Sequence, residues 1–272
     1  MKSTLLTTLE NRLYNNSSQN IAATDITGLP RTYTRLGQRI ARIQNLFPID
    51  EPGVIGILLD HDVNLVEAMI AVVMSGATVV TADPATDRNE VKTTFLKRGV
   101  EFVITTPRYS GILSGFLQVH LSETAIGRAK EIPMTEQAGE NAAAINIDGR
   151  KITHSELVCC AQKFVRSACI SEKDTVLQTA LPGTLGFIRE IFGVFMNGGT
   201  LVVLPAAARG DARKLLEFAE AEGVTVIPTP RWLMDDISVR RLSIPSSVRL
   251  YIDSSESAAT KVFDDSQQSV AL

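Results

Sequence analysis

The feature that most narrows the fold of this chain is a succession of signals that occurs twice. Arg31-Thr32-Tyr33-Thr34-Arg35-Leu36 is echoed by Lys151-Ile152-Thr153-His154-Ser155-Glu156-Leu157. Ser75-Gly76-Ala77-Thr78-Val79-Val80 is echoed by Gly198-Gly199-Thr200-Leu201-Val202-Val203, and Gly99-Val100-Glu101-Phe102-Val103-Ile104 by Gly223-Val224-Thr225-Val226-Ile227. The offsets stay near 120–125 residues, so one supersecondary plan is used twice. Within each copy, short apolar runs alternate with amphipathic stretches. Val54 to Leu59, Thr78 to Thr81 and Phe102 to Thr105 read as strands covered on both faces. Between them lie helical patterns: Leu36, Ile40, Ile43 and Leu46 behind a Thr34 cap, Asn64 to Met74 opened by Asn64 and Glu67, and Asp87 to Arg98 opened by Asp87 and Glu90. Leu5, Leu6, Leu9 and Leu13 form a shorter amphipathic segment. Such alternation predicts an α/β protein of two doubly wound, parallel or mixed-sheet subdomains with similar topology. The polar stretch from Ser122 to Asn141 divides them, so the expected domains are 1–140 and 141–272.

Composition excludes several function classes. A formal charge of −3 over 272 residues provides no field for nucleic acid or an anionic membrane. No run of about 18 apolar residues suits a membrane span, and the N-terminus lacks the apolar core of a signal peptide. Cys159, Cys160 and Cys169 lie in one apolar helical pattern with no zinc spacing. They are expected to be reduced core thiols of a cytoplasmic protein, with no metal site.

The stretch Ala142 to Leu157 concentrates the chemistry. It reads as a buried strand, a tight turn at Asp148-Gly149, a basic step at Arg150-Lys151 and a helix opening near His154. A strand, turn and helix start can cradle phosphate through free backbone N–H groups and the helix dipole. This turn has one glycine, and G-x-x-x-x-G-K-[ST] is absent from the chain.

Several of these segments resemble the N-terminal portion of adenylate-forming enzymes, and among them the adenylation domains of nonribosomal peptide synthetases. Thr32-Tyr33-Thr34-Arg35-Leu36 is similar to that family's opening Leu-Thr-Tyr-x-x-Leu. Glu67 to Ala77 resembles its Gly-Ala helix and strand. Glu190-Ile191-Phe192-Gly193 with Gly198-Gly199-Thr200-Leu201-Val202-Val203 resembles its Glu-Ile-Phe-Gly and Gly-Gly-Thr-Leu-Val segments, and Val224 to Pro230 its Val-Thr-Val and Thr-Pro pattern. The resemblance runs from about residue 30 to about 260 and implies the two-subdomain core of those enzymes.

What the resemblance implies about chemistry is mostly loss. The family's Thr-Ser-Gly-Ser-Thr-Gly-x-Pro-Lys-Gly loop around the ATP phosphates is missing between Ile145 and Ile152. His154 matches the histidine that follows it, and Glu256, in Ser254-Ser255-Glu256, matches the acidic residue near the nucleotide. These two are the remnant cofactor positions. Counting back from Glu190, the aspartate that pairs with a substrate amino group falls on Leu185, so Leu185, Phe187 and Glu190 mark the position of a substrate pocket. The remaining nucleotide motifs, the hinge and the catalytic Lys would lie beyond Leu272.

The expected function is therefore that of a truncated, catalytically inactive adenylation-domain homologue, a scaffold or docking module in nonribosomal peptide or other natural-product biosynthesis. No residue is assigned a catalytic role. ATP and Mg are expected only if a partner completes the site. The expected partner is another biosynthetic enzyme or synthetase module, with homo-oligomerisation also compatible; nucleic acid and membrane are not expected. Two alternatives stand beside it: an acid-activating ligase subunit completed by a second chain, and a pocket that binds a carboxylate without activating it, for which Leu185, Phe187, Ile188 and Phe192 are suitably apolar.

Overall fold

A computed structural model describes residues 4–15, 19–25, 30–48, 53–121, 139–229, 231–253, 260–263 and 269–271. In chain order the first elements are α1 (Thr4–Glu10), β1 (Ile21–Thr24), β2 (Arg31–Thr32), α2 (Tyr33–Gln44), β3 (Val54–Leu58), α3 (Val63–Met74) and β4 (Thr78–Thr81). They are followed by α4 (Arg88–Lys97), β5 (Phe102–Thr105), β6 (Leu117–His120), β7 (Ala143–Ile147), β8 (Arg150–Thr153), α5 (His154–Ser167) and β9 (Thr175–Gln178). The remainder is α6 (Leu185–Asn197), β10 (Thr200–Val203), α7 (Ala212–Ala221), β11 (Val226–Thr229), α8 (Arg231–Val239), β12 (Leu250–Asp253), β13 (Thr260–Phe263) and β14 (Ser269–Ala271).

The strands form two sheets, and the repeated sequence is visible in their order. One sheet runs β6-β5-β3-β4-β7-β8, and the other contains β12-β11-β9-β10-β1-β2, extended beyond β12 by β13 and β14. Position for position the six-strand arrangements correspond. In both, the three repeated strands stand third, first and second and pair in parallel. Apolar runs such as Val54–Leu58 and Thr200–Val203 suit this because parallel strands are covered on both faces. The paired glycines also correspond. Gly76 and Gly198 follow α3 and α6, Gly99 and Gly223 follow α4 and α7, and all four have positive φ, the left-handed conformation that stops a helix.

The chain falls into two compact units, residues 1–19 with 32–158, and residues 20–31 with 159–272. The expected division at 140/141 differs from this in two places, for one reason. The strands preceding each copy's first helix belong to the sheet of the other copy: β7 pairs with β4 of the first sheet, and β1 pairs with β10 of the second. Hydrogen bonding along the sheet outweighs proximity in sequence. The expected linker at 122–138 lies outside the described residues.

Two expected helix caps move back by two residues. The cap of α2 is Thr32, whose hydroxyl accepts from Arg35 N, instead of Thr34. The cap of α3 is Asp62, accepting from Asn64 N and Leu65 N, instead of Asn64. Asp87 caps α4 as expected. Glu67 makes a different contact. It is fully buried in α3, where both carboxylate oxygens accept from Arg39 Nε of α2 at 2.7 and 2.6 Å. Arg39 Nη2 also donates to Asn64 Oδ1 at 3.0 Å. The first unit thus joins two helices through an ion pair taken out of water, which holds only while both partners are present.

Glu67→Ala should destabilise the first unit by about 3–5 kcal/mol, because it leaves a buried guanidinium uncompensated, whereas the apolar double variant Arg39→Met/Glu67→Leu should recover most of that loss. Urea unfolding of the three proteins measures both.

Candidate functional site

The first candidate corner lies in the first unit. Ala144 and Ile145 of β7 are buried against the sheet, and Thr78 Oγ1 of β4 donates to Ala143 O at 3.0 Å. At Ile147 the chain reverses through Asp148 and Gly149 and returns antiparallel as β8, with Ile147 opposite Arg150. Both turn residues have positive φ, 47° and 87°, as a two-residue hairpin loop of the mirror-image type requires. Asn146 Oδ1 fastens the turn, accepting from Gly149 N at 3.0 Å and from Arg98 Nη1 at 2.6 Å. The strand, turn and basic step expected from sequence are all present. The basic pair, however, is the start of a strand, so β8 separates the turn from the helix.

α5 then opens on a reciprocal cap that sequence reading overlooked. Thr153 N donates to Glu156 Oε2 at 2.9 Å, and Glu156 N donates to Thr153 Oγ1 at 3.2 Å. The Thr-x-x-Glu spacing was the available signal. Glu156 also accepts from Arg150 Nη2 at 3.3 Å, so this basic side chain is turned along its own helix start. His154 is fully buried at the first position of α5. Burial pushes its imidazole pKa down, while the Glu140 carboxylate pulls the other way. Glu256 lies outside the described residues.

The second corner lies in the second unit, where β9 ends at Gln178 and α6 begins behind a Thr184 cap. The three positions expected to line a substrate pocket sit in different surroundings. Leu185 is 40% exposed, whereas Phe187 and Glu190 are completely buried. Glu190 Oε2 accepts from Gln178 Nε2 at 2.9 Å, Thr179 N at 3.0 Å and Ala180 N at 3.2 Å. The Arg189 guanidinium lies over the Phe164 ring, 5.7 Å from its centre. Burial pushes the Glu190 carboxyl up to about 7, against the pull of its N–H donors and Arg189. The role of Gln178 could not be seen from sequence, since it stands twelve residues away on another element.

The cysteines are not core thiols: Cys159 and Cys169 are exposed, Cys160 is half-buried, and none of the three is in a disulfide. Leu157, Ala161, Phe164 and Ala168 supply the buried face of this segment instead, the spacing of a helical stripe displaced from the cysteines. Among the described residues no group of three or more His, Cys, Asp or Glu could hold a metal ion, and no helix is long and apolar enough to cross a membrane.

No protein-family model matches the chain. It is 21% identical over 218 residues to bacitracin synthase 2 of Bacillus licheniformis, covering 76% of this chain and 8% of that one. It is 21% identical over 209 residues to gramicidin S synthase 2 of Brevibacillus brevis, covering 72% of this chain and 5% of that one. Among solved structures, the nonribosomal peptide synthetase FmoA3 in an AMPPNP-bound form superposes on 92% of the chain with a TM-score of 0.81 and 17% identity, over 28% of its own length. The N-terminal domain of FACL13 from Mycobacterium tuberculosis superposes on 93% of the chain with a TM-score of 0.79 and 16% identity, over 70% of its length. This chain has the fold of the N-terminal core of adenylate-forming enzymes. It spans under a tenth of the curated synthetases it matches. Within this adenylate-forming fold, the 142–157 segment is the corner at which the hairpin and helix α5 meet.

Gly149→Ala should cost about 1 kcal/mol or more, for conformational reasons alone, because a Cβ there would meet no atom within 4 Å while φ stays positive. Asp148→Asn should be nearly neutral, since Asn tolerates the left-handed region. Chemical denaturation of the two variants distinguishes them.

Proposed function

We propose that this chain is a non-adenylating homologue of an adenylation domain, serving as a scaffold or docking module for a synthetase or another enzyme of natural-product biosynthesis. The observation that carries the reading is the closed hairpin at 146–151. A triphosphate cradle needs several backbone N–H groups facing one point. Here the loop contains two residues, the Gly149 N–H is occupied by Asn146 Oδ1, and the Arg150 guanidinium is directed to Glu156. The residues at this corner therefore do not fit a bound nucleotide, and no step of adenylate formation is assigned to them.

The substrate side supports the same reading. An amino-acid ammonium arriving at position 185 meets Leu185, an alkyl group, and an ammonium removed from water without a carboxylate is strongly disfavoured. The remaining carboxylate, Glu190, is enclosed and already takes three donors. Loss of one preorganised donor in an active site costs about 3 kcal/mol of transition-state stabilisation, and this corner lacks most of a phosphate-binding set. The synthetases it matches are large assemblies, of which this chain corresponds to 8% or less, which is the basis for placing its partners among synthetase domains.

Mg-ATP titrated into the full chain should produce no saturable isotherm up to millimolar concentration, and pyrophosphate exchange over a broad panel of carboxylic acids should stay at background. Exchange above background that disappears in Arg150→Ala/Lys151→Ala would overturn the reading.

A further inference from the structure

The buried pair Glu190 and Gln178 has an unbalanced set of hydrogen bonds. Both residues are completely inaccessible to solvent. Gln178 Nε2 uses its two hydrogens on Ala180 O at 2.8 Å and Glu190 Oε2 at 2.9 Å. The amide cannot be turned over, because its oxygen would then oppose the Ala180 carbonyl. Glu190 Oε2 receives three donors, from Gln178, Thr179 and Ala180. The oxygens that remain, Oε1 of Glu190 and Oε1 of Gln178, are both buried and receive none among the described residues. Two bare acceptors belong to two side chains already joined by one bond.

A single hydrogen resolves both deficits. A carboxylic acid and a primary amide form a closed ring of two hydrogen bonds when the amide N–H donates to the acid's carbonyl oxygen and the acid's O–H donates to the amide oxygen. The first of these bonds is present. We propose that Glu190 is held as the neutral acid, its proton on Oε1 donated to Gln178 Oε1, and that this acid–amide ring is a protonation-sensitive latch on the turn between β9 and α6.

The surroundings favour the neutral form. β9 and β10, which pack against α6, carry no ionisable side chain. Where α5 meets α6 at Gly193, the atoms are those of Phe164, Ala161 and Val165. Among the described residues, the charged neighbour that acts on Glu190 is Arg189, whose guanidinium rests on the Phe164 ring. Burial, the largest influence, places the titration near pH 7, above the ordinary glutamate range. Below that range the ring is closed. Above it the ionised carboxylate has no hydrogen to give Gln178 Oε1, and the 178–180 segment loses one of its attachments to α6.

The sign follows from linkage. A carboxyl whose pKa is raised in the folded state contributes stability that is complete below its unfolded value and is lost as pH rises through about 7. Between pH 6 and pH 8.5 the folding equilibrium constant of the full chain should fall about tenfold through this group, and that fall should be missing from Glu190→Gln. Infrared difference spectra of the full chain at pH 6, wild type minus Glu190→Gln, should contain a protonated-carboxyl C=O band. In Gln178→Leu that band should shift to the higher frequency of an acid with no acceptor, an outcome that can be read even if Glu190→Gln fails to fold. Equal pH slopes in wild type and Glu190→Gln, or no protonated-carboxyl band at pH 6 that responds to either substitution, would overturn the proposal.

Discussion

The first unit depends on the antiparallel pairing of β7 with β8. That hairpin extends the parallel sheet beyond β4, sets Asn146 where it receives Arg98 from the end of α4, and delivers Thr153 as the cap from which α5 starts. A two-residue loop makes all three possible together, because it allows no slack between strand ends whose register is fixed on both sides. The same economy leaves few backbone N–H groups at this corner directed outward. A longer glycine-rich loop presents N–H groups outward, whereas a tight hairpin turns its donor inward to Asn146.

The second unit achieves the equivalent cohesion with a buried carboxylate. Asp174, just before β9, accepts from Arg249 Nε and Thr225 Oγ1 at 2.8 Å through one oxygen, and from Ser171 N and Oγ at 2.8 and 2.9 Å through the other. Burial alone would push this carboxyl up, but these donors outweigh it and hold it down to about 2. The starts of β9, β11 and β12 are thereby tied to one point, and the apolar cluster of Leu177, Val202, Leu215 and Ile227 packs within the unit. Arg39–Glu67 in one unit and Asp174–Arg249 in the other show the same physics. A charge removed from water is retained where a cation or several donors meet it.

Much of the fold was legible because its signals are periodic and repeated. The alternation of apolar runs with amphipathic helices, and the glycines following them, foretold two doubly wound subdomains of similar topology; the third-first-second order of their parallel strands became visible only in the structure. Which sheet receives each hairpin was not legible, since nothing in the Ala143–Thr153 sequence says whether its partner edge is β4 or a later strand. Caps at Thr32 and Asp62 were missed because Thr34 and Asn64 carry the same local signal two residues downstream. The burial of Glu190 against Gln178 arises from a contact between elements that leaves no periodic trace. The shortness of the turn between Ile145 and Ile152 was legible because it is a matter of chain length. The structure adds what fills that position: a strand, and a turn whose donor is taken.

The most direct measurement of the central claim is the behaviour of the backbone amides at 146–151 when nucleotide is present. Amide chemical shifts and hydrogen-exchange rates of Gly149, Arg150 and Lys151 in the full chain, recorded with and without millimolar Mg-AMPPNP, report on the groups a phosphate cradle would use. Unchanged shifts, with Gly149 protected to the same degree in both conditions, are the predicted result. Saturable shifts at these amides, with Gly149 released from Asn146 as nucleotide is added, would contradict the account.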